Sequence, residues 1–233
     1  MNYLWLENKE KLFEQIESVG KSDKTFLRVN NAHNILRVLR SMKNVKQLAY
    51  ISSPITTGLE YYNLKKAGEK VDYKKLIENN VFRMEDELYK AGGIEMLIPA
   101  RFTPVVMDWE QEHFMYLWYS TIGEICTEVR FVKNWEYSNG CVQEFAHAKQ
   151  LTLGVPPSQQ HGIYINTNET YEHNDSRMRN MTTRHIQGAF IYTEEAINLI
   201  TNAKKVINEL GFPTEVHDKC LLILEELKII GVK

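Results

Sequence analysis

The sequence predicts an α/β protein: a parallel sheet flanked by helices, with helical additions at both ends. Three observations predict it. Short apolar runs at Gln47–Ser52, Ile94–Ile98 and Thr127–Lys133 each end in turn chemistry: Ser53-Pro54, Pro99 and the polar loop from Asn134. Stretches of helical length separate these runs. Strands alternating with helices between Gln47 and Val155 imply right-handed crossovers, and so parallel pairing.

Before the first strand, residues 1–45 read as helical. Leu6, Phe13, Ile16 and Val19 recur at near-helical spacing, and Ile35, Leu36, Val38 and Leu39 mark a second helix over Ala32–Met42. After Ser53-Pro54 a polar loop is expected through Thr56, Gly58, Tyr61 and Tyr62. Asp72–Ala91 is amphipathic along Leu76, Ile77, Val81, Met84 and Leu88, and Gly92-Gly93 stops it. Trp109–Ile125 reads as an aromatic-rich helix whose rings suit core or subunit-interface packing. A helix follows over Cys141–Leu151, and Thr152–Val155 suggests a fourth strand. The polar stretch Asn166–His185 reads as a loop or lid. Helices at Thr193–Leu210 and Glu215–Lys228 finish the chain. The organisation expected is a helical extension over 1–46, an α/β core over 47–160, and a polar loop with C-terminal helices packed on the core over 161–233.

Composition narrows the class. The chain has 233 residues, 43% hydrophobic and 25% charged, enough for an ordinary packed core. A net charge of −2 argues against a general nucleic-acid surface. No apolar run approaches the roughly 20 residues of a membrane span, and Glu7, Glu10, Glu14 and Glu17 exclude a signal peptide at the N-terminus. Cys126, Cys141 and Cys220 are far apart and odd in number, so a reducing cytoplasm is the expected compartment. No metal or cofactor is expected. Glu144 and His147 lie three apart, but a di-iron site needs a second such pair.

Three loops should meet at the carboxyl edge of the sheet: Ser52–Gly58, Ala100–Pro104 and Asn134–Gly140. The first offers Ser52, Ser53 and backbone N–H groups for a sugar or phosphate. The second offers the guanidinium of Arg101. The third offers Ser138 and Gly140 and runs into a helix carrying Glu144. Backbone N–H groups and the helix dipole favour anionic groups there. Cys141 heads the same helix, where a thiolate is favoured. Arg177, Arg179 and Arg184 in the late polar loop are candidates to grip an anion.

Tyr50-Ile-Ser-Ser-Pro-Ile-Thr-Thr-Gly58 and Trp135-Glu-Tyr-Ser-Asn-Gly-Cys-Val-Gln-Glu144-Phe-Ala-His-Ala148 resemble the opening strand-loop and the Trp-x-x-Ser-x-Gly-x-x-x-Glu-x-x-x-Ala segment of nucleoside 2-deoxyribosyltransferase-like proteins. The resemblance covers about Gln47 to Val155. It implies a flavodoxin-like fold, cleavage of an N-glycosidic bond, and Glu144 as the nucleophile. It also implies that Ser138 and Gly140 hold the sugar or its 5′-phosphate, that Ser52 and Ser53 line the facing wall, and that Tyr61 or Tyr62 lies across the sugar or positions Glu144. Trp135 and Tyr137 would be further wall. In this family neighbouring subunits often complete the pocket, so a homo-oligomer is expected.

The chain departs from the family in two places. Ser53 stands where Gly is common. The Asp that handles the leaving base has no clear counterpart; Asp108 is the candidate acid, with Glu112, Glu124 and Glu128 as imperfect stand-ins. The expected function is therefore N-glycosidic cleavage or transfer on a nucleoside, nucleotide or related N-riboside. The alternatives are a nucleotide-binding or signalling module without turnover, and an NAD-cleaving stress or defence protein.

Overall fold

A computed structural model describes residues 48–91, 95–101, 111–152 and 181–232. The expected N-terminal helices lie outside these residues. The described elements are β1 (Leu48–Ser52), α1 (Leu59–Lys66), α2 (Tyr73–Ala91), β2 (Glu95–Leu97), a 3-10 turn (Pro99–Arg101), α3 (Gln111–Glu124), β3 (Glu128–Phe131), a second 3-10 turn (Trp135–Tyr137), α4 (Asn139–Leu151), β4 (Thr182–His185), α5 (Thr193–Glu209) and α6 (Glu215–Ile229). The fold is the α/β parallel sheet flanked by helices that the sequence predicts, and it is consistent with a flavodoxin-like arrangement.

The strand order is β2-β1-β3-β4 and every pair is parallel. The chain leaves β1 for one neighbour and returns on the other side as β3. That reversal opens a crevice between the loops that follow β1 and β3, where α/β sheets place ligands.

Side chains alternate across β1, so its two faces enter different cores. Leu48 and Tyr50 join Val129, Phe131, Val142, Phe145 and the buried residues of α3, α5 and α6. Ala49 and Ile51 meet Met84 and Leu88 of α2 on the other face. α5 buries Thr193, Ala196, Ile197, Ile200, Ala203 and Ile207 at helical spacing. Each fully buried Ile there contributes about 1.5–3 kcal/mol of burial. α4 is buried nearly all round, from Cys141 to Leu151. It sits on the sheet with α3 and α6 packed against it, which is why its apolar residues form no single stripe.

Two elements differ from the sequence expectation. The polar loop expected through Tyr61 and Tyr62 closes at Gly58 and becomes α1. Only Tyr62 in that helix is buried, so it lacks the apolar period that would announce it. Of the strand expected over Thr152–Val155, only Thr152 is among the described residues, and it caps α4. Thr182–His185 forms β4 within the segment expected to be a loop. It is an edge strand with polar side chains, so apolar alternation is absent. Its side chains are satisfied laterally. Thr183 donates to the carbonyl of Ile191 at 2.9 Å, Arg184 pairs with Glu128 at 3.2 Å, and the Arg184 guanidinium lies 3.5 Å over the Phe190 ring. Arg184 is thus engaged in the fold; Arg177 and Arg179 lie outside the described residues.

Candidate functional site

The loop after β1 and the loop after β3 meet at the carboxyl edge of the sheet. Thr57 Oγ1 and Ser138 Oγ are 3.4 Å apart across them. Between the loops, α3 and the start of α6 lies a cleft of about 260 Å³. Its polar side carries Ser53, Thr56, Thr57, Ser138 and Gly140, and its apolar side carries Phe114, Met115, Trp118 and Val216.

Glu144 lies at this cleft in the second turn of α4. Helical side chains tilt toward the N-terminus, so the carboxylate is carried back toward the carboxyl edge. It is 6% exposed. Both its oxygens are held by β1. Tyr50 Oη donates to Oε1 at 2.5 Å and Ser52 Oγ donates to Oε2 at 2.6 Å. Tyr50 and Ser52 can act together because residues two apart in a strand share a face.

The electrostatics follow from this placement. Burial disfavours the charged carboxylate and raises Glu144 to about 7, while the Ser52 and Tyr50 hydrogen bonds oppose the rise. Burial, with the nearby Glu144 charge, pushes the Tyr50 phenol well above its ordinary value. Tyr50 is therefore a donor throughout the neutral range. The Cys141 thiol is also pushed up, first by burial and then by Glu144. Burial outweighs the helix dipole here, so Cys141 is not the low-pKa thiolate that its helix position suggests.

The structure assembles only some of the sequence candidates. Ser53, Ser138, Gly140 and Glu144 line the cleft, and Ser52 holds Glu144 from behind. Trp135 does not form a wall of the cleft. It is 1% exposed and stacks on Phe145 with centroids 4.9 Å apart, because its large apolar ring is worth more in the core. Tyr137 is not among the lining residues. Nor is Tyr61, which packs with Tyr62, Tyr73 and Phe212 instead. Arg101 ends the first 3-10 turn, beside the cleft-lining Pro99; its side chain is not among those the structure describes. Asp108 lies outside the described residues. Glu128 sits at the start of β3, paired with Arg130 at 2.5 Å and with Arg184, at the sheet edge opposite the cleft.

Two contributions escaped sequence reasoning. Tyr50 is the tyrosine that meets Glu144; its two-residue separation from Ser52 is the signal that could have found it. The apolar wall comes from α3 and α6. Phe114 and Trp118, whose sequence setting suits core or interface packing, line the cleft, and the Trp118 ring lies 6.1 Å from that of Tyr50. His147 stacks on Tyr119 at 4.3 Å. Among the described residues, no group of three or more His, Cys, Asp or Glu side chains is placed to hold a metal. No helix of the described residues is long and apolar enough to cross a membrane.

Fold and site together define an α/β protein with a carboxylate cleft at the reversal point of its sheet. Residues 47–156 are similar to a family described as a domain of unknown function, DUF4406. This segment spans β1 to α4 and includes Tyr50, Ser52, Ser138 and Glu144. Comparisons with curated proteins and with solved structures find no match.

Proposed function

We propose that the protein cleaves or transfers the N-glycosidic bond of a nucleoside, nucleotide or related N-riboside, with Glu144 as nucleophile. The observation that carries this reading is the double grip on Glu144 by Tyr50 and Ser52 at the edge of the cleft. A carboxylate fixed through both oxygens loses little freedom when it attacks. Its position near neutrality lets it be ionised at working pH. The resemblance to nucleoside 2-deoxyribosyltransferase-like proteins supports the same role for Glu144, and so does the cleft's division into a hydroxyl-rich side and an aromatic side.

In the reaction, a Glu144 oxygen attacks the anomeric carbon as the carbon–nitrogen bond breaks. The bonding electrons leave with the base, which takes a proton from solvent; the incoming water or second base later returns one to solvent. The transition state carries positive charge on the sugar, and the adjacent carboxylate stabilises it. Water or a second base then attacks the same carbon. The ester bond breaks and its electrons return to Glu144, giving free sugar or a new N-riboside. Ser138 and the N–H groups at the start of α4 would hold the sugar end, and Phe114 and Trp118 would face the base.

The test incubates purified protein with nucleosides, nucleoside monophosphates and NAD and follows release of free base. Release that Glu144→Gln abolishes is the expected result. Absence of release from every substrate, or equal release by the variant, would sink the reading.

A second reading, nucleotide binding without turnover, draws on one observation: among the described residues lining the cleft, Glu144 is the single carboxylate. Thermal stabilisation by a nucleotide without product formation would favour it.

A further inference from the structure

We propose that Val216 sets the size of the base that the cleft accepts, so that specificity is controlled from outside the segment shared with the family. The proposal rests on the N-glycosidic reading of the cleft. The family segment ends at residue 156, whereas Val216 belongs to α6 near the C-terminus and still lines the cleft. Among the described residues, every other lining side chain comes from within that segment. The C-terminal helices therefore contribute a single apolar side chain to the site.

The start of α6 is pinned on both sides of Val216. Next to it, His217 is wholly buried, and its Nε2 lies 3.0 Å from the carbonyl oxygen of Glu136 in the second 3-10 turn. Four residues before Val216, the Phe212 ring packs against Tyr62 of α1 at 5.1 Å and Tyr61 at 6.1 Å. Further along, Cys220, Leu224 and Leu227 are buried in the main core. A helix fixed in this way cannot back away from a bulkier residue at 216. Closely packed surroundings pass the change in volume into the nearest empty space, which is the cleft.

The chemistry gives the direction. The neighbours on the apolar side are Phe114, Met115 and Trp118, which suit a flat aromatic base rather than a sugar or a phosphate. Removing the two Val216 methyls lengthens that side, and adding a methylene shortens it. One methylene in an apolar pocket changes discrimination by about tenfold or more.

The experiment measures kcat/KM for base release by wild type, Val216→Ala, Val216→Leu and Lys219→Ala. The substrates are a pyrimidine nucleoside, a purine nucleoside and a purine nucleoside carrying an added alkyl group on the base. Val216→Ala is expected to raise the bulky purine relative to the pyrimidine by about tenfold, and Val216→Leu to lower it by about as much. Lys219→Ala, an exposed change on the same helix, should keep the wild-type order. If both Val216 variants keep that order to within about twofold, the proposal is overturned while the glycosidic reading stands. Should wild type release no base from any substrate, the reading and the proposal fall together. If Val216→Leu does not fold, the Val216→Ala ratio decides.

Discussion

Ser52, the last residue of the first strand, donates a hydrogen bond of 2.6 Å to Glu144, 92 residues further along the chain. Tyr50 holds the other oxygen of the same carboxylate. Two side-chain hydrogen bonds on one buried carboxylate thus tie strand β1 to helix α4 at the cleft that Glu144 lines.

Removing either donor should change how Glu144 titrates. Both hydrogen bonds favour the ionised form and lower its pKa against the effect of burial. In Tyr50→Phe and Ser52→Ala the ascending limb of the kcat/KM profile, expected near pH 7 in wild type, should move to higher pH. A hydrogen bond to a charged group is worth about 1.5–3 kcal/mol, so activity at pH 7 should fall by about 10-fold to 100-fold. A pH–rate profile of each variant checks this. An unmoved limb would mean that the limb belongs to another group.

Stability should depend on pH through Glu144 in a defined window. Its pKa is raised from 4.5 in the unfolded chain to about 7 in the fold, so the folded state binds the proton more tightly. The stabilising effect of that proton is complete below pH 4.5 and is lost as pH rises to about 7. The loss is roughly 3 kcal/mol, an order-of-magnitude figure from the size of the shift. Glu144→Gln has no proton to lose. Urea denaturation of the two proteins should therefore show the variant gaining on wild type between pH 5 and pH 7, with the difference constant above about pH 8. Parallel stability curves would contradict the raised pKa.

Gly58 should not tolerate alanine. Its φ is +128°, and an added Cβ would stand 2.9 Å from the Pro54 Cβ within the same loop. Strain of about 1–3 kcal/mol is expected. It acts where Thr56 and Thr57 line the cleft, so Gly58→Ala should raise KM at temperatures where the variant is still fully folded, as well as lower its melting temperature. Kinetics and a thermal melt on one preparation separate the two effects.

Trp135 should behave as a core residue. Trp135→Ala is expected to cost about 3–5 kcal/mol, because the ring is buried between Phe131 and Phe145. Trp135→Phe keeps most of the packing and should retain the wild-type KM. A large rise in KM in a stable Trp135→Phe protein would instead put the ring in contact with the ligand.

Much of this architecture was legible in the sequence because its signals are local. Apolar runs ending at Ser53-Pro54 and Pro99 announced β1 and β2, and the spacing of Leu76, Val81, Met84 and Leu88 announced α2. β4 was illegible because an edge strand needs few apolar side chains: Thr182-Thr-Arg-His185 is held by hydrogen bonds and by Glu128, which lies in a different strand. α1 was illegible because it buries little besides Tyr62.

The site divides in the same way. The sequence by itself determined that Ser138, Gly140 and Glu144 would lie together, since a turn entering a helix fixes their spacing. It also determined that this turn and Ser52–Gly58 would lie at one edge, since alternating strands and helices make a parallel sheet. Only the tertiary structure decided which tyrosine meets Glu144, sent Trp135 to the core, and brought Val216 to the cleft wall. These outcomes depend on strand order, on which face of β1 receives α4, and on where α6 docks. Each is settled by packing between segments far apart in the chain, and no local pattern encodes it.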